Sequence, residues 1–235
     1  MSDTLFYSPD ILANSQLPEI ESHHCIKVLR MRIGDSLKVT DGKGHLYQCT
    51  LVDNNAKRTT VSIINQIDIN QPKYFTLHVA FAPTKQMDRN EWFVEKATEI
   101  GIDRFSPIIS NFSERKDIKV EKLIKTAISA MKQSQHSFLP QIDDPVSFND
   151  FIKLPFNGRK YIAHCYDTPK IPLSKTYGKG ENALILIGPE GDFSESEVES
   201  AISKGFEPVS LGESRLRTET ASLIATHTIH VINSL

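Results

Sequence analysis

Five consecutive apolar residues, Ala183 to Ile187, run into Gly188-Pro-Glu-Gly191, and Ser194-Glu-Ser-Glu197 follows almost at once. Each part constrains the next. So short an apolar run, bounded by turn residues, reads as a strand buried on both faces. Glycine permits a tight turn and a close approach of the backbone to whatever lies beyond the strand. Ser-x-x-Glu is a capping box: the serine oxygen accepts from the amide three residues on, and the glutamate reaches back to the serine amide. The helix it opens is expected to turn Val198, Ala201 and Ile202 inward and to stop at Gly205. Strand, glycine turn and capped helix in direct succession call for a parallel sheet covered by helices.

The same grammar recurs. Pro208 to Leu211 reads as a strand ending at Gly212, and Glu213-Ser-Arg-Leu-Arg217 leads to Thr218, which can cap a last helix reaching about Asn233. Upstream, Phe75, Leu77, Val79 and Phe81 alternate with Thr76, His78 and Ala80 at strand period. Asn90 to Ile100 sets Phe93, Ala97 and Ile100 on one helical face ahead of Gly101. Phe105 to Ile109 and Tyr161 to His164 are further strands, and Lys119 to Gln135 carries a Leu123, Ile124, Ala127, Ile128, Met131 stripe. Before residue 70 the texture differs. A short helical stretch, Glu19 to Met31, precedes strands at Ser36–Thr40, His45–Val52 and Thr59–Ile67, the first two joined by the hairpin signal Asp41-Gly-Lys-Gly44. The expectation is a small barrel-like β domain over 1–72 and an α/β domain over 73–235, divided at Asn70-Gln71-Pro72.

With 235 residues there is chain enough for real cores. Lys plus Arg is 27 against 29 Asp plus Glu, so the total does not advertise nucleic-acid binding and any basic contact surface must be local. No apolar run approaches the ~18 residues of a membrane span, and Met1-Ser-Asp-Thr-Leu has no signal-peptide character. Three widely spaced cysteines without Cys-x-x-Cys argue against a disulfide framework or zinc knuckle, so a cytoplasmic location is expected. No metal is expected: His23 and His24 face different ways on a helix, and His227 with His230 lacks a third ligand.

In open α/β sheets ligands sit beyond the carboxyl ends of strands. The Gly188 and Gly212 loops both occupy such a place. Each alone reads equally well as a plain turn or good capping; two in one sheet point to a composite site. Neither is a Walker loop or Gly-x-Gly-x-x-Gly, so nucleotide phosphates are not the obvious ligand. Arg217, beside free helix amides, favours a carboxylate or phosphate. Lys85, Arg89 and Arg115 suit phosphate contacts, as do Lys27, Arg30 and Arg32, although such runs are also ordinary solvated surface. There is no Gly-x-Ser-x-Gly elbow and no other evident nucleophile. Its absence favours chemistry whose electrophile arrives on a cofactor.

Gly188-Pro-Glu-Gly191, Leu211-Gly212 and Leu216-Arg-Thr-Glu-Thr-Ala221 together resemble the three-part pattern of the 16S ribosomal RNA uracil N3-methyltransferases of the SPOUT superfamily. Val28-Leu-Arg-Met-Arg-Ile-Gly-Asp35 is similar to that family's PUA-like domain. Glu91-Trp92, Lys96-Ala-Thr-Glu-Ile-Gly101, Ser113-Glu-Arg115, Gln133 and Pro140 resemble its central segments. The resemblance implies a trefoil knot in the C-terminal sheet, S-adenosylmethionine as cofactor, a homodimer, and methylation of one uridine N3 in 16S ribosomal RNA of the small ribosomal subunit. It implies cofactor contacts from His164, Ile187, Gly188, Pro189, Glu190, Gly191, Leu211, Gly212, Leu216 and Thr218. Arg217 would stabilise the uracil anion or its phosphate, and Glu219 would serve as base or orienting group. Three departures stand out: Asp192 where the family usually has glycine, Glu213-Ser-Arg215 in place of Pro-Arg and an aliphatic residue, and His136 where arginine is common. The competing readings are 2′-O-ribose methylation, a non-catalytic RNA-binding assembly factor, and a small-molecule methyltransferase.

Overall fold

The computed structural model describes residues 4–67 and 73–235; the expected boundary at Asn70–Pro72 lies outside the described residues. The chain forms two compact units. One is the N-terminal segment through residue 72 with Ile128–Leu139, and the other is Lys73–Ala127 with Pro140–Leu235. The division therefore departs from a single cut before residue 73, because residues 128–139 pack with the N-terminal segment.

The first unit contains β1 (Leu5–Tyr7), α1 (Ile11–Asn14), α2 (Glu19–His23), β2 (Ser36–Thr40), β3 (Leu46–Asp53) and β4 (Thr60–Ile67). Its sheet order is β1-β2-β3-β4, parallel between β1 and β2 and antiparallel thereafter. The Asp41 carboxylate makes the β2–β3 turn by accepting the amides of Lys43 (2.8 Å) and His45 (3.2 Å). The barrel-like expectation has a physical basis in the edges. Leu17 N–H donates to Thr59 O and Val61 N–H to Ser15 O, while Ser8 Oγ donates to Gln16 O. Residues 15–17 thus bond to both β4 and the end of β1. Phe6, Leu37, Val39, Tyr47, Cys49, Leu51 and Val61 fill the interior. The helical stretch expected through Met31 ends at Leu29: α2 widens into a π-helical turn, His24–Val28, and Arg30 has a φ of 55°.

The second unit runs β5 (Leu77–Phe81), α3 (Met87–Ile100), β6 (Arg104–Ile109), α4 (Val120–Gln133), β7 (Gln141–Ile142), β8 (Val146–Ser147), α5 (Phe148–Phe151), β9 (Arg159–Ala163), β10 (Ile171–Pro172), α6 (Leu173–Thr176), β11 (Ala183–Ile187), α7 (Glu195–Ser203), β12 (Glu207–Ser210) and α8 (Thr218–Ser234). The last turns of α4 fall in the first unit, where Lys132 pairs with buried Glu21 at 2.6 Å. The strands of the second unit form a parallel sheet in the order β10-β12-β9-β11-β5-β6-β7, with β8 also on β6.

Both sheet faces are covered. Ala80, Ile162, Leu184 and Leu186 pack with Phe148, Phe151, Val198 and Ala201 on one side. On the other, Phe81, Phe93 and Phe105 stack edge to face at 5.2 and 5.4 Å. All five β5 residues are buried, so the alternation from Phe75 to Phe81 does not mark a wet face; His78 is enclosed like its neighbours. On α7, Val198 and Ala201 are buried, whereas Ile202 is 46% exposed, contrary to the expected inward stripe.

Candidate cofactor site at the strand ends

Register builds the site. Ala163 of β9 pairs with Ile187 of β11 on one side and Val209 of β12 on the other. Three neighbouring parallel strands thus end level, and their loops leave the sheet together. The loops, beginning at His164, Gly188 and Leu211, surround a cavity of about 700 Å³. Polyvalent strand ends of this kind are where α/β sheets hold ligands.

Side chains stitch the loops to each other. Asp192 Oδ2 accepts the Cys165 amide at 2.6 Å, and Tyr166 Oη donates to Phe193 O at 2.8 Å. Thr218 Oγ1 donates to Gly188 O at 3.0 Å. Glu190 Oε1 accepts the Lys85 amide at 3.1 Å, which ties in the segment after β5. Gly188 sits tight against its own turn: a Cβ there would stand 3.1 Å from Phe193 N and 3.2 Å from the Asp192 carbonyl carbon, so the backbone would have to give. Gly212 needs its freedom for another reason, a φ of 135° that side-chain-bearing residues avoid.

Of the residues singled out in the sequence, His164, Ile187, Gly188, Pro189, Glu190, Leu211, Gly212, Leu216, Arg217 and Thr218 line the cavity. Gly191 does not; a Cβ there would stand 3.1 Å from Phe112 Cβ. Thr218 is the first residue of α8 and not its cap, because its hydroxyl is spent on Gly188; Arg217 holds the N-cap position. Arg217 is exposed, and its guanidinium makes no hydrogen bond or ion pair among the described residues. Glu219 lies outside the cavity wall, buried, with Oε1 3.8 Å from Arg89 Nε and Oε2 without a hydrogen-bond partner. Its carboxylate thus faces Arg89 and does not line the cavity. Arg89 is accordingly engaged by Glu219. Arg115, expected on RNA, donates from Nε to Thr84 O and Lys85 O, at 3.1 and 3.0 Å, and so braces the segment after β5. Lys85 is exposed and pairs with Glu114 at 3.1 Å. In the first unit Lys27, Arg30 and Arg32 are all exposed.

Cys165, Tyr166 and Lys170 also line the cavity, and the sequence reading did not single them out. The strand-end rule applied to Tyr161–His164 would have found them, since their loop leaves at the level of the other two. His164 is almost wholly buried and its Nδ1 has no partner. Burial, and then the Lys170 ammonium, push its pKa below the usual histidine value, so the ring is neutral at pH 7. Burial and the adjacent Asp192 carboxylate raise the Cys165 thiol. Among the described residues no three His, Cys, Asp or Glu side chains converge as a metal site, and no helix is long and apolar enough to cross a membrane.

Comparison with known proteins agrees with this geometry. A family described as "RNA methyltransferase domain" matches residues 71–230, and one described as "RNA methyltransferase PUA domain" matches residues 17–64. The "Ribosomal RNA small subunit methyltransferase E" of Aquifex aeolicus is 31% identical over 92% of this chain and 94% of its own. A solved structure of a "probable rRNA-methyltransferase" from Porphyromonas gingivalis superposes with a TM-score of 0.92 at 44% identity, over 98% of both chains. A Legionella pneumophila structure, solved with the cofactor SAM bound, gives 0.87 at 25% identity, again over 98% of both. With two domains matched in order and likeness running the length of the molecule, the chain belongs to the RNA methyltransferase family of the ribosomal RNA small subunit methyltransferases E.

Proposed function

We propose that this chain transfers a methyl group from S-adenosylmethionine to N3 of one uridine in 16S ribosomal RNA, acting in the cytoplasm as a homodimer with the knotted C-terminal path its family resemblance implies. One observation carries the reading: three loops leave level strand ends around a single cavity and are bonded to one another.

The cavity suits such a cofactor. Its volume of about 700 Å³ falls in the range of small-molecule sites. Its wall mixes apolar Ile187, Val209 and Leu216 with charged Glu190, Asp192 and Lys170, as a molecule with apolar and zwitterionic parts requires. The buried, unpartnered His164 Nδ1 leaves one polar atom for a ligand to satisfy. His164 and the 188–190 and 211–212 segments would hold the cofactor, which supplies a methyl group already activated on sulfur.

What remains for the chain is positioning and charge. Hydrogen bonds between the loops lower the cost of ordering them around a ligand. Arg217 sits at the N-cap of a 17-residue helix, where its own cation meets the positive end of the dipole. An anion at that point satisfies both, and a uracil losing its N3 proton, or the adjoining phosphate, is such an anion. Glu219 steadies Arg89 behind the wall, and the exposed Lys27, Arg30 and Arg32 are the cations assigned to RNA, with Lys85, exposed beside Glu114, as a further candidate.

The test is methylation of small subunits from cells lacking this enzyme, with labelled S-adenosylmethionine. An N3 methyl blocks the pairing edge of uracil, so the expected outcome is label in 16S RNA with a reverse-transcription stop at one uridine. Label in a ribose, without that stop, establishes the 2′-O reading. No label despite RNA binding establishes the assembly-factor reading.

A further inference from the structure

Asp192 occupies a backbone conformation that residues with side chains seldom adopt, with a φ of 69°. Its half-buried carboxylate lines the cavity and is used twice. Oδ2 accepts the Cys165 amide at 2.6 Å, twenty-seven residues away, and Oδ1 accepts the Phe193 amide at 2.8 Å. Cys165 and Tyr166 stand where the β9 loop turns along the cavity; Phe193 follows the β11 loop. The second stitch between them, Tyr166 Oη to Phe193 O, lies beside the first. A main-chain amide held by a carboxylate is a charge-assisted bond, roughly twice as strong as a neutral one. It also fixes where the His164–Cys165 backbone runs, and therefore where the neighbouring His164 ring stands on the wall.

We propose that Asp192 is a positioning residue: a clasp that holds the loops after β9 and β11 at the spacing the methyl donor needs. This deepens, and rests on, the reading of the cavity as the S-adenosylmethionine site. Without the clasp, the donor must order the 164–170 loop as it binds, and affinity falls by that cost. The left-handed conformation separates clasp from fold. Glycine at 192 relieves the backbone while removing the carboxylate, and asparagine keeps both an acceptor oxygen and tolerance of positive φ.

The test compares wild type, Asp192→Gly and Asp192→Asn by two measurements. One is the dissociation constant of S-adenosylmethionine by calorimetry. The other is the iodoacetamide alkylation rate at each cysteine, read by mass spectrometry without donor and taken as the high-pH plateau of its pH profile, where the thiols are ionised and loss of the Asp192 charge no longer speeds the reaction. Of the three cysteines only Cys165 is exposed, so it reports on the clasped loop, while labelling of Cys25 or Cys49 reports unfolding. Asp192→Gly is expected to weaken donor binding about tenfold or more, the scale of one lost charge-assisted bond. It should also speed Cys165 alkylation several-fold, with Cys25 and Cys49 still protected. Asp192→Asn is expected to recover most of both losses. Wild-type alkylation of Cys165 in Asp192→Gly overturns the clasp. So does a donor affinity unchanged by glycine, or one that asparagine lowers as far as glycine does. Should Asp192→Gly expose Cys25 and Cys49, the asparagine variant decides alone. Failure of the wild-type chain to bind donor contradicts the cofactor reading instead, and the alkylation rates then decide whether the clasp exists.

Discussion

Arg217 shows how little a residue's type says until its place is known. At the N-cap of α8 it stands among unpaired helix amides, exposed on the cavity wall, with no intramolecular partner among the described residues. If it stabilises the uracil anion, Arg217→Ala leaves the melting temperature within a few degrees and lowers turnover at least ~100-fold, the scale for losing one key donor. Steady-state methylation of small subunits, alongside a thermal melt, checks this. His78 is the opposite case, a histidine withdrawn from function. Its Nε2 meets Ser106 Oγ at 2.7 Å, and Ser106 in turn donates to Asp143. Burial, then the Arg104 guanidinium, lower its pKa to about 4. Protonation therefore favours the unfolded chain. The stabilisation is complete above the ordinary histidine pKa of about 6.5 and is lost as pH falls toward 4, amounting to about 3 kcal/mol. In His78→Gln, whose amide nitrogen reproduces the Nε2 donor, urea unfolding followed from pH 7 through 5.5 to 4.5 should lose about 2 kcal/mol less stability than wild type. Parallel losses in the two proteins would refute the assignment.

At the level of elements, legibility tracked how local the determining forces are. Residues Ala183–Ile187 form β11 as read, and the Ser194 capping box closes with both of its bonds, because apolar bounds and caps act within a few residues. β1 escaped notice: three residues show no period, and Leu5–Tyr7 become a strand only by pairing with β2 some thirty residues on. The periodicity of α4 identified its apolar stripe but not what would cover it, so the docking of residues 128–139 with the N-terminal segment was invisible. In the site, glycine turns pointed to two loops, while the third loop carries no such punctuation after His164. Capping itself supplies a graded prediction. Ser194→Ala loses the cap and should cost about 1 kcal/mol in urea unfolding. Glu197→Ala should cost more, because Glu197 also accepts the Asn111 amide at 2.8 Å and ties α7 to the loop after β6. Equal costs would show that this tie contributes nothing.

For the whole molecule, a formal charge of −2 leaves no global attraction to RNA, so binding must rest on local groups. Lys27, Arg30 and Arg32 are exposed together in the unit that matches the PUA family, whereas Arg89 and Arg115 are held by protein partners. Changing the three to glutamine should reduce the slope of log affinity against log salt by about two, at ~0.7 per single-stranded phosphate contact. An unchanged slope would remove them from the RNA surface. Cofactor binding by the whole molecule requires that the loops after β9, β11 and β12 form one pocket. Hydrogen exchange by mass spectrometry, with and without saturating S-adenosylmethionine, tests it most directly. Residues 164–170, 188–193 and 211–218 should exchange more slowly together when the donor is present, with β2–β4 unaffected; protection confined to other segments, or none in these three, would contradict it.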